Sequence, residues 1–176
     1  MSPTGDLELM TAAEAEDLQR RIAGGLLADG LTPGDRVLVA TTSGGPMLAT
    51  ILGALRVGIV PVVLNSGLLD VEREVLVADA EPAATLDDEA VSTLSEARPA
   101  ELAPWPLARP IHYTSGTTGR AKGVESGPLS ESEAARLVAE ERELWGFEAG
   151  DVHLVNSPFH HSVAIRFAAG TLLAGG

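Results

Sequence analysis

Short runs of apolar, mostly β-branched residues alternate with segments of helical pattern, and this alternation restricts the fold more than any other feature of the chain. Val37–Ala40, Ile59–Leu64 and Ala83–Leu86 are strand-sized, and they lack the regular polar positions of a strand with one face in water. Between the first two, Met47–Val57 reads as a helix ended by Gly58. Between the second and third, Asp70 caps a helix running to about Ala78. Ahead of them all, Thr11 and Glu14 have the spacing of a capping box, which opens a helix through about Ala28. Asp29-Gly30 stops that helix, and Thr32-Pro33-Gly34-Asp35 makes a turn. Strands apolar on both faces need cover on both faces, and crossover helices supply it. The expected fold class is therefore α/β, with strand–helix alternating layers and a mainly parallel sheet.

The second half is less regular. Residues 97–110 hold four prolines, Pro99, Pro104, Pro106 and Pro110, and read as an internal linker or extended surface segment. Ile111-His112-Tyr113 is strand-like and runs into a loop rich in Gly, Ser and Thr. Ser130-Glu131-Ser132-Glu133 caps an amphipathic helix to about Leu144, with Gly146 as its stop. Val152–Val155 is predicted as a strand and Ser162–Ala174 as an apolar helix. There is no internal repeat. The last residues, Leu172-Leu173-Ala174-Gly175-Gly176, are apolar, unlike the polar, frayed end of most domains. The expectation is that residues 1–176 form a truncated N-terminal part of a larger domain.

Charge and composition exclude several functions. The chain carries 25 acidic and 12 basic residues, a formal net charge of −13, and Lys122 is its single lysine. Such a field repels nucleic-acid backbones and anionic lipid surfaces. With no cysteine, disulfides, thiolate nucleophiles and Cys-based metal sites are ruled out. Met1–Met10 bears Asp6 and Glu8 and lacks the basic-then-apolar pattern of a secretory leader, and no apolar run approaches the ~20 residues of a membrane span. These features fit a cytoplasmic chain.

The chemistry concentrates in Tyr113-Thr114-Ser115-Gly116-Thr117-Thr118-Gly119-Arg120-Ala121-Lys122-Gly123-Val124. Glycines let the backbone present its N–H groups to a bulky anion, hydroxyls add donors, and Lys122 adds a point charge. That composition suits a polyphosphate cradle, and the alternative is a flexible surface loop. It is not a Walker A loop, which needs G-x-x-x-x-G-K-S/T, and no G-x-G-x-x-G is present.

The segment resembles the phosphate-binding signature of the adenylate-forming superfamily, which includes acyl-CoA synthetases, adenylation domains of peptide synthetases and luciferases. The family pattern is close to Y/T-S/T-S/G-G-T-T/S-G-x-P-K-G-V, and this chain departs from it at Ala121. Two further stretches carry the resemblance. Gly34–Val39 with Leu52–Val62 is similar to the family's early strand, helix and G-x-x-x-V-P strand. Asn156–Ser162 is similar to its P-L-F/Y-H segment, with His161 on the family's histidine position. The resemblance covers about residues 12–176. A His on an apolar segment is more often structural than catalytic, so His161 is a catalytic candidate through the resemblance. His160 and Ser162 rank below it, and His112 and His153 read as structural or solvent-facing.

The resemblance implies ATP-dependent activation of a carboxylic acid, of the fatty or aryl kind, to an acyl-adenylate and then to an acyl-CoA. ATP, Mg²⁺ and coenzyme A would be the co-substrates. Thr114, Ser115, Gly116, Thr117, Thr118, Gly119 and Lys122 would hold the ATP phosphates, Thr117 would touch Mg²⁺, and His161 would border the acyl carboxylate. The family's later nucleotide-binding segments and its C-terminal catalytic lysine have no counterpart here. A second reading is therefore a non-catalytic homologue that binds nucleotide or pyrophosphate or serves as an interaction module, and homodimerisation is one way to cover an unfinished apolar face. An acyltransferase H-H-x-x-x-D motif fails at Ile165, and no G-x-S-x-G hydrolase motif exists. The purified 176-residue chain is expected to show no acid-dependent exchange of pyrophosphate into ATP. A radiolabel exchange assay with a panel of fatty and aryl acids checks this, and robust exchange would refute it.

Overall fold

A computed structural model describes residues 9–65, 67–114 and 122–176. In chain order its elements are α1 (Ala12–Ala28), β1 (Arg36–Val39), α2 (Gly45–Arg56), β2 (Val60–Val63), α3 (Asp70–Ala80), β3 (Ala84–Leu86), α4 (Asp88–Leu94), β4 (Ile111–Thr114), β5 (Lys122–Val124), α5 (Glu131–Trp145) and α6 (Ser162–Ala174). The Thr11 capping box forms as expected: the Glu14 N–H donates to the Thr11 hydroxyl and the Thr11 N–H to the Glu14 carboxylate. Ser130 and Glu133 do the same for α5, which Gly146 ends in the left-handed conformation.

The strands form one sheet in the order β3-β1-β2-β4-β5. The first four are parallel, with Val37 opposite Pro61 and Ala84, and Val62 opposite Ile111. β5 turns back antiparallel to β4. Side chains alternate faces along each strand, and the core divides accordingly. Val39 and Val63 pack on one face with Ile51, Leu52 and Leu55 of α2 and Ile165 and Ala168 of α6. Val37 joins Ile22 and Leu26 of α1 and Val91 of α4 on that same side. Leu38, Val62 and Ile111 face the other way, against Val77 and Ala80 of α3. Every residue of α2 from Met47 to Arg56 is buried, because the helix lies between the sheet, α1 and α6.

The structure corrects three details of the sequence reading. The α3 N-cap is Leu69, whose N–H donates to Glu72, and Asp70 is the first helical residue. Lys122 belongs to a short strand rather than to a loop, because its backbone pairs with Thr114. Val152–Val155 is not a strand: no ladder partner lies beside it among the described residues, and Val152 and Leu154 stand 87% and 66% exposed. One helix went unread, the short α4, where Asp87 accepts from the Ala90 N–H at 2.8 Å. Residues 97–110 contain no helix or strand. They are nevertheless fastened by Ala100, Ala103 and Leu107, whose N–H groups donate to the carbonyls of Arg20, Arg56 and Leu55.

α1 and α2 approach closely at Gly53, where an added Cβ would lie 2.7 Å from the Gln19 carbonyl oxygen and 3.1 Å from its Cα. Both are backbone atoms, so the helices themselves would have to separate. Gly53→Ala is expected to cost about 1–3 kcal/mol of stability, the usual cost of overpacking, read from the urea midpoint.

Candidate functional site

The parallel strands bring the residues after β1, β2 and β4 to one edge of the sheet. α2 leaves β1 toward one face and α3 leaves β2 toward the other. The crevice between adjacent strands whose connections part in this way is where open α/β sheets bind ligands. A cavity of about 310 Å³ lies there, lined by Thr41, Thr42, Ser43, Asp88, Phe159 and His160 among others. Asp88 ties the connection after β3 to that after β1, accepting from the Thr42 N–H at 2.9 Å and the Thr42 hydroxyl at 2.8 Å. These bonds, the hydroxyl foremost, hold the Asp88 carboxyl below its ordinary range. The Ser43 hydroxyl accepts from the Phe159 N–H at 3.3 Å, which draws the segment before α6 over the crevice. The Thr41 hydroxyl is buried with no hydrogen-bond partner among the described residues. Sequence reading missed this hydroxyl run, and its signal was three consecutive small polar residues directly after an apolar strand.

The β4–β5 hairpin opens at the same edge. Thr114 ends β4, Lys122 begins β5, and their backbones pair. Ser115, Gly116, Thr117, Thr118 and Gly119 lie outside the described residues. Tyr113 points to the α3 side, where its hydroxyl donates to Asp79 at 2.7 Å. Burial, and then this bond, push the phenol pKa up and keep the group a donor.

Three histidines gather beside the hairpin. His161 occupies the N-cap position of α6 without a side-chain capping bond and is exposed. Its ring lies 4.2 Å, centroid to centroid, from that of His160. His112, on β4, has a buried Nδ1 with no partner among the described residues. Its pKa is lowered, first by burial and further by the charges of His160 and His161, with the His160 backbone carbonyl opposing. His160 is lowered by burial and by His161. His112 is thus part of the site's electrostatics, which its strand position alone did not reveal. His153 stands apart, stacked on Phe167. Among the described residues no group of three or more His, Asp or Glu could hold a metal ion.

His112 also borders a second cavity of about 380 Å³ between α5, α6 and residues 105–110, where Trp105, Arg109, Ser126, Ser162 and Arg166 join a mainly apolar wall. A third cavity, about 990 Å³, shares Ser43 and Phe159 with the crevice. No helix among the described residues is long and apolar enough to cross a membrane.

A family model described as AMP-binding enzyme matches residues 4–105. Over 179 aligned residues the chain is 30% identical to the pyochelin synthetase PchE of Pseudomonas aeruginosa, covering 94% of this chain and 12% of that protein. Among solved structures it is similar to apo MatB from Rhodopseudomonas palustris, with a TM-score of 0.72 and 27% identity over 93% of this chain and 38% of that one. ATP-bound MatB matches over the same shares with a TM-score of 0.67 and 26% identity. O-succinylbenzoate coenzyme A synthetase (MenE) from Bacillus subtilis, solved with AMP, shares the fold at a TM-score of 0.74 and 21% identity, over 93% of this chain and 47% of that one. The chain spans less than half the length of each of these proteins.

The lowered pKa of His112 has a thermodynamic sign. Its unfolded form binds a proton near pH 6.5 and its folded form only at lower pH, so stability falls as pH drops through and below 6.5. His160 acts in the same direction. His112→Asn is expected to flatten the dependence of Tm on pH between about 7.5 and 5, above the range where most carboxylates titrate. Calorimetry at both pH values checks it, and an unchanged slope would refute it.

Proposed function

Because the chain belongs to the AMP-binding enzyme family, we propose that its phosphate loop serves ATP-dependent activation of a carboxylic acid. A carboxylate oxygen attacks the α-phosphorus, the bond to the β-phosphate breaks, and acyl-adenylate and pyrophosphate result. A thiol, that of coenzyme A, then attacks the acyl carbon and AMP leaves with the bonding electron pair. The observation that carries the reading is the position of the loop. A connection bearing four hydroxyls (Thr114, Ser115, Thr117 and Thr118), two glycines (Gly116 and Gly119) and Arg120, and closed by Lys122, joins β4 to β5 at the ligand-binding edge of the sheet.

In this reading the loop's N–H groups and hydroxyls, from Thr114 to Gly119, hold the β- and γ-phosphates. Lys122 offsets the charge that develops on pyrophosphate. Mg²⁺ arrives with the triphosphate as part of the substrate, and Thr117 meets it. His161, at the start of α6, borders the acyl carboxylate, and the low pKa of its neighbour His160 limits positive charge there at neutral pH. A fatty or aryl acid suits the mainly apolar wall of the cavity against α6. The name of PchE, a synthetase, and the AMP and ATP bound to MenE and MatB support the reaction class.

Titration calorimetry of the chain with magnesium pyrophosphate and with MgATP tests the reading. Binding is expected, and Lys122→Ala should weaken it roughly 10- to 100-fold, the range for one charge-assisted contact. Thr117→Ala should weaken the Mg²⁺-dependent part. Equal affinity in Lys122→Ala, or no binding by the unmodified chain, would refute it.

A further inference from the structure

Tyr113 precedes the loop by one residue, and its neighbour across the hairpin is Gly123. A Cβ on Gly123 would lie 3.2 Å from the Tyr113 Cζ and 3.4 Å from its Cε1. The ring therefore lies across the returning strand, in the groove that the missing side chain leaves. From there its hydroxyl reaches the Asp79 carboxylate on α3 at 2.7 Å. One residue on, the Ala80 carbonyl accepts from Arg36 of β1 at 3.1 Å. The same guanidinium donates to Glu125, just past β5, at 2.9 Å. The end of α3 and the start of β1 thus grip both strands of the hairpin, β4 through Tyr113 and β5 through Glu125.

We propose that Tyr113, seated over Gly123 and held by Asp79, is a positioning residue that fixes the angle at which the hairpin presents the phosphate loop. The proposal rests on the phosphate-binding reading of that loop. It follows from the geometry of a seven-residue connection on a three-residue edge strand: β5 has no outer neighbour in the sheet, so cross-strand pairing with β4 alone leaves the hairpin free to twist. A ring laid over the partner strand and hydrogen-bonded to a helix on the sheet's face opposes that twist. Alanine at Gly123 would crowd the ring at Cζ and the Ile111 methyl at Cγ2, each 3.2 Å from the added Cβ, so one of them must shift.

The experiment combines pyrophosphate titration with amide hydrogen exchange across residues 114–123 in the ligand-free chain. Tyr113→Phe, Asp79→Ala and Gly123→Ala are each compared with Ile22→Val, a control in the α1 core that lowers stability far from the hairpin. The three hairpin variants should weaken pyrophosphate binding roughly 3- to 10-fold and speed exchange in the hairpin, while Ile22→Val changes neither. Tyr113→Phe combined with Asp79→Ala should lose no more than either alone, because both remove one bond. Unchanged affinity in Tyr113→Phe, or an equal loss in Ile22→Val, would overturn the proposal while leaving the phosphate-binding reading in place. If the unmodified chain does not bind pyrophosphate, that reading fails and the proposal fails with it.

Discussion

Arg56 is only 7% exposed, and much of the architecture follows from how its guanidinium is satisfied. A buried cation is tolerated only when its N–H groups are bonded and its charge is paired. Arg56 donates to Glu16 and to the Gln19 side chain at 3.0 Å, both on α1, and to the Ala103 carbonyl at 2.8 Å. One side chain at the end of α2 therefore joins two helices and the proline-rich stretch. The adjoining Leu55 carbonyl accepts from Leu107, Ala108 is buried against α2, and the chain enters β4 three residues later. That anchorage delivers the chain to β4, which then pairs with β2.

The electrostatic design follows from this placement. A chain of net charge −13 disfavours anions almost everywhere on its surface. The connections after β1 and β4 carry hydroxyls and glycines at one edge of the sheet, and backbone N–H groups add partial positive charge without formal charge. Asp88, the carboxylate at the crevice, is engaged by Thr42 and so is turned inward on its own protein. His112 and His160 are held toward neutrality by their surroundings, so neither adds a full charge at neutral pH.

Much of the fold was legible in the sequence because its signals were local. Thr11 with Glu14 and Ser130 with Glu133 cap their helices through contacts three residues apart, and apolar runs such as Val37–Val39 can only be interior strand. What was not legible depended on partners distant in sequence. Val152–Val155 has the composition of a strand but finds no neighbour, whereas Lys122–Val124, with a glycine at its centre, becomes a strand because β4 lies beside it. α4 is too short to show a period. At the site, the motif identified the loop, but the clustering of His112 with His160 and His161, and the reach of Tyr113 to Asp79, needed the sheet order to become visible.

The sheet is bounded by β3 and β5, each three residues long. Its central strands β1 and β2 are apolar on both faces, the kind of surface that templates the addition of further strands when left open. Edges this short offer few unpaired backbone groups, and the excess of acidic side chains repels another copy as it approaches. Among the described residues, the small hairpin thus forms a short edge that offers little template for strand addition.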